Sequence, residues 1–213
     1  MIVFDIQRFA TIGNFKSNTL ISGTNGNNSI ANYNLGKSVT IKAGSGNDSI
    51  YNDGDYVTID GGDGNDSIKN WGDSVIINAG DGKDSIFISG GSLIKADGGA
   101  SNDTIFNYGG SSVTIDGGLG DDSVNIGFWA GATTIKAGVG NDTIVNPYYK
   151  SPYYKSFTLE VGSYTSVASG DDIFLTTKNG SVLIKDGTKQ TITIKLKMKL
   201  TMTKLTKQLL VKL

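Results

Sequence analysis

The sequence predicts an all-β fold, a right-handed parallel β-solenoid of about seven coils, and three observations carry the prediction. The residue before each Ser/Thr-Ile/Val pair recurs as Asn28, Asp48, Asp66, Asp84, Asp103, Asp122 and Asp142, in steps of 20, 18, 18, 19, 19 and 20. Each coil divides into two nines with isoleucine at the eighth position of both, as in Asn52–Asp60 followed by Gly61–Lys69. Glycine is abundant, and 26 of the 30 glycines precede residue 148.

The eighth positions form two rows. One runs Ile30, Ile50, Ile68, Ile86, Ile105, Val124 and Ile144, and the other Ile41, Ile59, Ile77, Ile115 and Ile135, with Ile94 expected to fill the gap after a local shift. Stacked coils bring these into two facing apolar ladders, a core that no single repeat can form alone. The sixth positions differ between the halves: one has Asp, the other Val39, Val57, Val75 and Val113. One face of turns is therefore expected to be ionic and the opposite face dry or hydrogen-bonded. Four residues beyond the marker stand Asn32, Asn52, Asn70, Asn107 and Asn146, an expected asparagine ladder with a structural role. The outward row Thr40, Thr58, Ile76, Thr114, Thr134 is single and broken by Ile76, unlike the paired threonine ranks that suit ice, and reads as ordinary exposed strand chemistry.

Composition removes several chemistries. Among 213 residues there is no cysteine and no histidine, so thiolate and imidazole nucleophiles, the Ser-His-Asp triad and the usual zinc or copper sites are excluded. A metal would have to be held by oxygen. No run reaches the roughly 18 apolar residues of a membrane-spanning helix. The first ten residues lack a basic leader and a long apolar stretch, so export is expected to use a route other than a cleaved N-terminal signal. Charge is split: residues 1–147 carry 16 acids and 8 bases (net −8), residues 148–213 carry 4 acids and 11 bases (net +7), and the sum is −1.

The glycine-rich halves hold the candidate ligands. Glycine accepts positive φ, which turns consecutive carbonyls toward a neighbouring loop, and the Asp adds formal negative charge at the loop's end. Ca²⁺ takes six to eight oxygens in flexible geometry, whereas Mg²⁺ demands tighter octahedral geometry. The candidate metal ligands are Asp48, Asp66, Asp84, Asp103, Asp122 and Asp142, with Gly44, Gly46, Gly62, Gly64, Gly80, Gly82, Gly118, Gly120, Gly138 and Gly140. The same residues also make tight turns closed by local side-chain hydrogen bonds, and the residues alone leave that reading open.

Gly61–Lys69 and Gly117–Asn125 match in full the pattern Gly-Gly-x-Gly-x-Asp-x-U-x, where U is a large aliphatic residue, and three copies at 43–48, 79–84 and 137–142 miss the first glycine. Residues 97–105 read as carrying an extra residue and losing the third glycine, and the first loop ends in Asn28. Over about residues 22–146 the chain resembles the RTX, or haemolysin-type, calcium-binding repeat proteins. The resemblance implies a β-roll, calcium as the bound cofactor, and ions between loops of successive coils, up to five for six Asp-bearing loops. This sequence keeps the nonapeptide in alternate half-coils, which implies one row of ions and a core rich enough to persist without them.

The segments divide as an N-terminal cap strand over 1–18, repeats over 19–147, a C-terminal β cap with a hairpin over 148–194, and a basic amphipathic tail over 195–213. Ile2–Ile6 reads as capping the first coil. Residues 147–156, with both prolines and four tyrosines, read as a linker packing over the end of the solenoid. Phe157–Val161 and Ile173–Ile184 read as strands, the latter folded at Asn179-Gly180. From Thr191 the alternation predicts a further strand, then Leu205, Leu209 and Leu213 line a short helix, with six lysines and no acid after Ile194. The functional expectation is a secreted, non-catalytic, calcium-binding repeat protein with no nucleic-acid partner. The alternative is a metal-independent structural or adhesive solenoid whose exposed rows meet a cell surface or carbohydrate.

Overall fold

Four-residue runs such as Ser49-Ile-Tyr-Asn52 place a β-branched residue between Ser49 and Tyr51, and a side-chain period of two sends the isoleucine to one face and these neighbours to the other. The computed structural model describes residues 11–33, 35, 37–136, 138–147, 157–161, 164–169, 171–185 and 192–196. In chain order the first strands are β1 (Thr11–Asn14), β2 (Leu20–Ser22), β3 (Ser29–Asn32), β4 (Thr40–Ser45), β5 (Ser49–Asn52), β6 (Thr58–Asp63) and β7 (Ser67–Asn70). They continue as β8 (Ile76–Asp81), β9 (Ser85–Ile88), β10 (Ser92–Ala100), β11 (Thr104–Asn107), β12 (Ser111–Leu119), β13 (Ser123–Ile126), β14 (Thr133–Lys136) and β15 (Gly140–Val145). The last are β16 (Phe157–Val161), β17 (Tyr164–Ser169), β18 (Asp172–Thr177), β19 (Gly180–Ile184) and β20 (Ile192–Leu196).

Odd-numbered strands from β1 to β15 stack in parallel in one sheet and even-numbered strands from β2 to β14 in another, so the chain crosses between sheets twice per coil, for about seven turns. The fold is all-β, a parallel β-solenoid. Register is like on like: Ile50 pairs with Ile30 and Ile68, and Ile59 with Ile41 and Ile77. Both isoleucine rows are at most 2% exposed and face each other across the interior.

The register corrects two expectations. Ile94 pairs with Val113 and stands in the valine row, while Ala96 pairs with Ile77 and Ile115 and fills the gap in the isoleucine row. Residues 98–103 form a regular six-residue loop in register with 117–122, with no extra residue. The additional residue of that coil lies in the opposite turn: six positions separate Asn70 from Ile76, and seven separate their partners Ile88 and Lys95.

The opposite turn is closed by asparagines. Nδ2 of Asn14, Asn32 and Asn52 donates to Oδ1 of the next at 2.6, 2.8 and 2.8 Å, ending at Asn70. Ile88 and Ile126 occupy the ladder position in their coils, so the ladder is interrupted rather than continuous, and Asn107 instead donates to Thr133 Oγ1 at 2.9 Å. Beyond the asparagines the chain turns through a left-handed residue in each coil, at Ser38, Tyr56, Ser74, Leu93 and Ser112, with φ of 55 to 58°. None is glycine, so each holds steric strain of roughly 1–2 kcal/mol.

The C-terminal strands continue the two stacks. β16 pairs in parallel with β14, and β20 with β16, while β19 joins β15 with Gly180 against Gly140 and Val182 against Asp142. β18 and β17 then add antiparallel strands. The expected Asn179-Gly180 hairpin is present, and β17 was not foreseen. Ile2–Ile6, the tyrosine-rich stretch over 148–156 and residues 197–213 lie outside the described residues.

The two outer faces differ in chemistry. From β4 to β14 the nine-stranded sheet presents Lys42, Asp60, Lys95, Asp97, Asp116 and Lys136. From β3 to β13 the other sheet presents a Ser/Thr row and, beside it, Ala31, Tyr51, Lys69, Phe87, Phe106 and Asn125, with one charge among them.

Leu93 is 65% exposed and left-handed, so its side chain contributes strain without burial. Leu93→Asn is expected to raise unfolding stability by about 1 kcal/mol, measured by chemical denaturation; a destabilised variant contradicts the strain argument.

Candidate metal centre

The glycine-rich loops connect the nine-stranded sheet to the eleven-stranded one. Numbering Gly61 to Asp66 as loop positions one to six, positions two and four have positive φ in all six Asp-bearing loops, for example 105° at Gly62 and 122° at Gly64. Gly44, Gly46, Gly80, Gly82, Gly118, Gly120, Gly138 and Gly140 share that conformation. Ser101, at φ 84°, replaces the glycine at position four of its loop.

Close approach is the second demand on these glycines. A Cβ on Gly62 would overlap the carbonyl oxygen of Gly44, and one on Gly64 that of Gly46, so carbonyls at positions two and four of one loop face the next coil. At position one the direction reverses: a Cβ on Gly61 would overlap the carbonyl oxygen of Ala79. Oxygens from both loops therefore enter the space between them.

Positions five and six carry two side-chain ladders of opposite direction. Oδ1 of Asn27, Asn47, Asn65, Asn102 and Asp121 accepts the position-five N–H of the following coil at 2.7 to 3.0 Å. Oδ1 of Asp48, Asp66, Asp84, Asp103, Asp122 and Asp142 accepts the position-six N–H of the preceding coil at 2.5 to 3.1 Å. All six aspartates point inward and are 2 to 4% exposed. The sequence offered them as candidate ligands but not as the pins between coils, because that role appears only once the register is known.

The other carboxylate oxygen has no such partner. Oδ2 of Asp48, Asp66, Asp84, Asp103 and Asp122 is buried without a hydrogen bond. A Cβ on Gly98 would lie 2.5 Å from both Asp103 Oδ2 and the Gly117 carbonyl oxygen, so these two oxygens border the same corner of the loop. Position six of the first loop shows what that corner accepts. Asn28 Nδ2 donates to Asp48 Oδ1 at 2.9 Å, to the carbonyls of Ala43 at 3.4 Å and Thr24 at 3.5 Å, and to that of Gly26. Those carbonyls belong to positions two and four of its own loop and position one of the next. An amide donor satisfies this set; a carboxylate oxygen adds one more acceptor to it.

The electrostatic consequence is uniform. Burial, with contributions from neighbouring aspartates, pushes the carboxyls of Asp66, Asp103 and Asp142 up to about 7. Asp48, Asp84 and Asp122 are also raised, chiefly by burial. A proton or a cation would relieve this buried charge. Every candidate ligand is a hard oxygen, which suits Ca²⁺ and not a thiolate- or imidazole-seeking metal. Among the described residues no three acidic side chains converge on one point, so backbone carbonyls would supply much of the ligand set. The row is bounded by neutral residues, Asn28 at one end and Val182 at the other. Asp142 lines a cleft of about 280 Å³ with Lys136, Lys178 and Val182.

No protein-family model matches the chain, and no curated protein matches it.

Two outcomes follow from the unpaired oxygens. Asp84→Asn keeps the acceptor for Asp66 N–H and replaces Oδ2 by a donor, as Asn28 does, so stability in chelator at pH 8 is expected to rise by about 1–3 kcal/mol; an unchanged or lowered denaturation midpoint contradicts this. The native carboxyls also hold protons to higher pH than unfolded ones, which titrate near 4. Their contribution to stability is therefore complete below that pH and is lost as pH rises through about 7. The melting temperature in chelator is expected to be lower at pH 8 than at pH 5, and equal values would count against a buried, unpaired row.

Proposed function

We propose that this chain is a non-catalytic calcium-binding β-roll of the RTX type, exported and consolidated where calcium is abundant. The observation that carries the reading is the row of buried, unpaired Asp Oδ2 atoms set against loop carbonyl oxygens. The six Asp-bearing loops enclose up to five inter-loop spaces. In each, one or two aspartates would provide charge, and the backbone at positions one, two and four would provide neutral oxygens. Bound calcium would supply two positive charges where the row otherwise needs protons.

The residues' own part is to present these oxygens already oriented. Glycines at positions two and four turn the carbonyls, and the Oδ1 hydrogen bonds fix each carboxylate between coils, so little ordering remains on binding. The RTX resemblance supports the same assignment, with one departure: the nonapeptide occupies one turn face, and the other is closed by asparagines and valines. A single row is expected. Binding to the folded state alone adds RT ln(1 + [Ca]/Kd), about 2.7 kcal/mol per site at a hundredfold excess. With Kd near 10⁻⁴–10⁻³ M, common for extracellular modules, each site adds less at near-millimolar calcium, and the row acts by summation.

The absence of histidine and cysteine from the sequence supports a non-catalytic role. Isothermal calorimetry of the chelator-stripped chain, with circular dichroism on the same samples, tests the proposal. Several calcium per chain, up to five, with weaker binding of magnesium and a rise in melting temperature, are expected. No heat, and a melt identical in chelator and calcium, would leave a metal-independent solenoid.

A further inference from the structure

The outer face of the eleven-stranded sheet carries a feature outside the ion row. Strand residues that are far apart in sequence, and unremarkable there, become neighbours in register: Tyr51 pairs with Lys69, Lys69 with Phe87, and Phe87 with Phe106. The rings touch. Tyr33 and Tyr51 have centroids 6.2 Å apart, Phe87 and Phe106 5.0 Å, and Phe87 and Tyr108 6.2 Å in a stacked pair. Where the row lacks a ring, the Lys69 ammonium stands 5.7 Å from the Trp71 ring centre and 5.6 Å from that of Phe87, bridging the two halves. Tyr33, Trp71 and Tyr108 are 38, 46 and 37% exposed. This stripe is flanked by the hydroxyl row Ser49, Ser67, Ser85, Thr104 and Ser123.

We infer that this aromatic and hydroxyl stripe binds a neutral, unbranched polysaccharide lying along the solenoid axis. Aromatic faces are electron-rich and attract the polarised C–H face of a pyranose. Hydroxyls beside the rings meet sugar hydroxyls. Coils repeat every 4.7–4.9 Å, about the length of one pyranose, so a linear glycan can place successive residues on successive coils. Charge selects a neutral ligand: this face carries one charge on β3 to β13, whereas the opposite face presents Lys42, Asp60, Lys95, Asp97, Asp116 and Lys136 on β4 to β14. A polyanion would find a single lysine already engaged by two rings. The inference does not rest on calcium binding.

The test is affinity electrophoresis of the full chain in native gels containing hydroxyethyl cellulose, mannan or xylan, with heparin as the polyanion control, in calcium and in chelator. The triple variant Tyr51→Thr, Phe87→Thr, Phe106→Thr keeps β-propensity and the hydroxyl character of the face, and Trp71→Ala is a second, single change. Ile76→Thr alters the opposite face and serves as control. Retardation by at least one neutral glycan, weakened roughly tenfold or more by the triple variant and unchanged by Ile76→Thr, is expected. Retardation by heparin alone, equal retardation of the triple variant, or none in any neutral gel overturns the proposal. So does sedimentation showing dimers of the native chain that the triple variant abolishes, because the stripe then meets a second copy.

Discussion

In-register parallel stacking sets each residue of a coil against its counterpart in the next, and the rest of the structure answers to that constraint. For isoleucine the consequence is favourable, since like shapes repeat and fill two continuous ladders. For asparagine it is favourable too, because an amide is both donor and acceptor and can hand a hydrogen bond from coil to coil. For aspartate it is not: an ionised carboxylate only accepts, and stacking six in one column concentrates like charge in a buried place.

The protein resolves half of that problem with its backbone. One oxygen of each aspartate takes the N–H of the preceding coil, so the carboxylate serves as a pin between coils. In Asp48, Asp66, Asp84, Asp103 and Asp122 the other oxygen has no donor. It borders carbonyls turned inward by glycines whose conformation serves the turn, so hard oxygens gather in one place. Asn28 is the internal comparison, because with one nitrogen in place of an oxygen the corresponding carbonyls of its loop and the next accept hydrogen bonds. This difference between residues 28 and 48 gives the calcium reading a basis in this chain that does not depend on the resemblance.

Much of the fold was legible because a repeat amplifies weak signals. The marker spacing, the two isoleucine rows and the Asp and Gly positions could each be read five to seven times over, and apart from Ile94 the structure places them as the period required. What escaped the sequence had a local cause. Ala96 occupies a position that an isoleucine count assigns to Ile94, since the coil's additional residue lies in the turn at 89–91 rather than in the glycine loop. Ile88 and Ile126 interrupt a ladder that periodicity alone extends. The aromatic stripe was hidden because Tyr51, Phe87 and Phe106 occupy variable positions of the repeat, and their adjacency is a property of register, not of sequence spacing. The backbone contacts of Oδ1 were likewise invisible until coils were set side by side.

On the proposed reading the buried aspartate row needs positive charge, and calcium provides it in place of protons. The most direct test of this reading is a pH titration of the side-chain carboxyl carbons of Asp66, Asp103 and Asp142 by nuclear magnetic resonance, in chelator and in calcium. The account predicts titration near 7 in chelator and carboxyls that stay ionised to much lower pH in calcium. Carboxyls titrating near 4 in chelator, with no response to calcium, would contradict it.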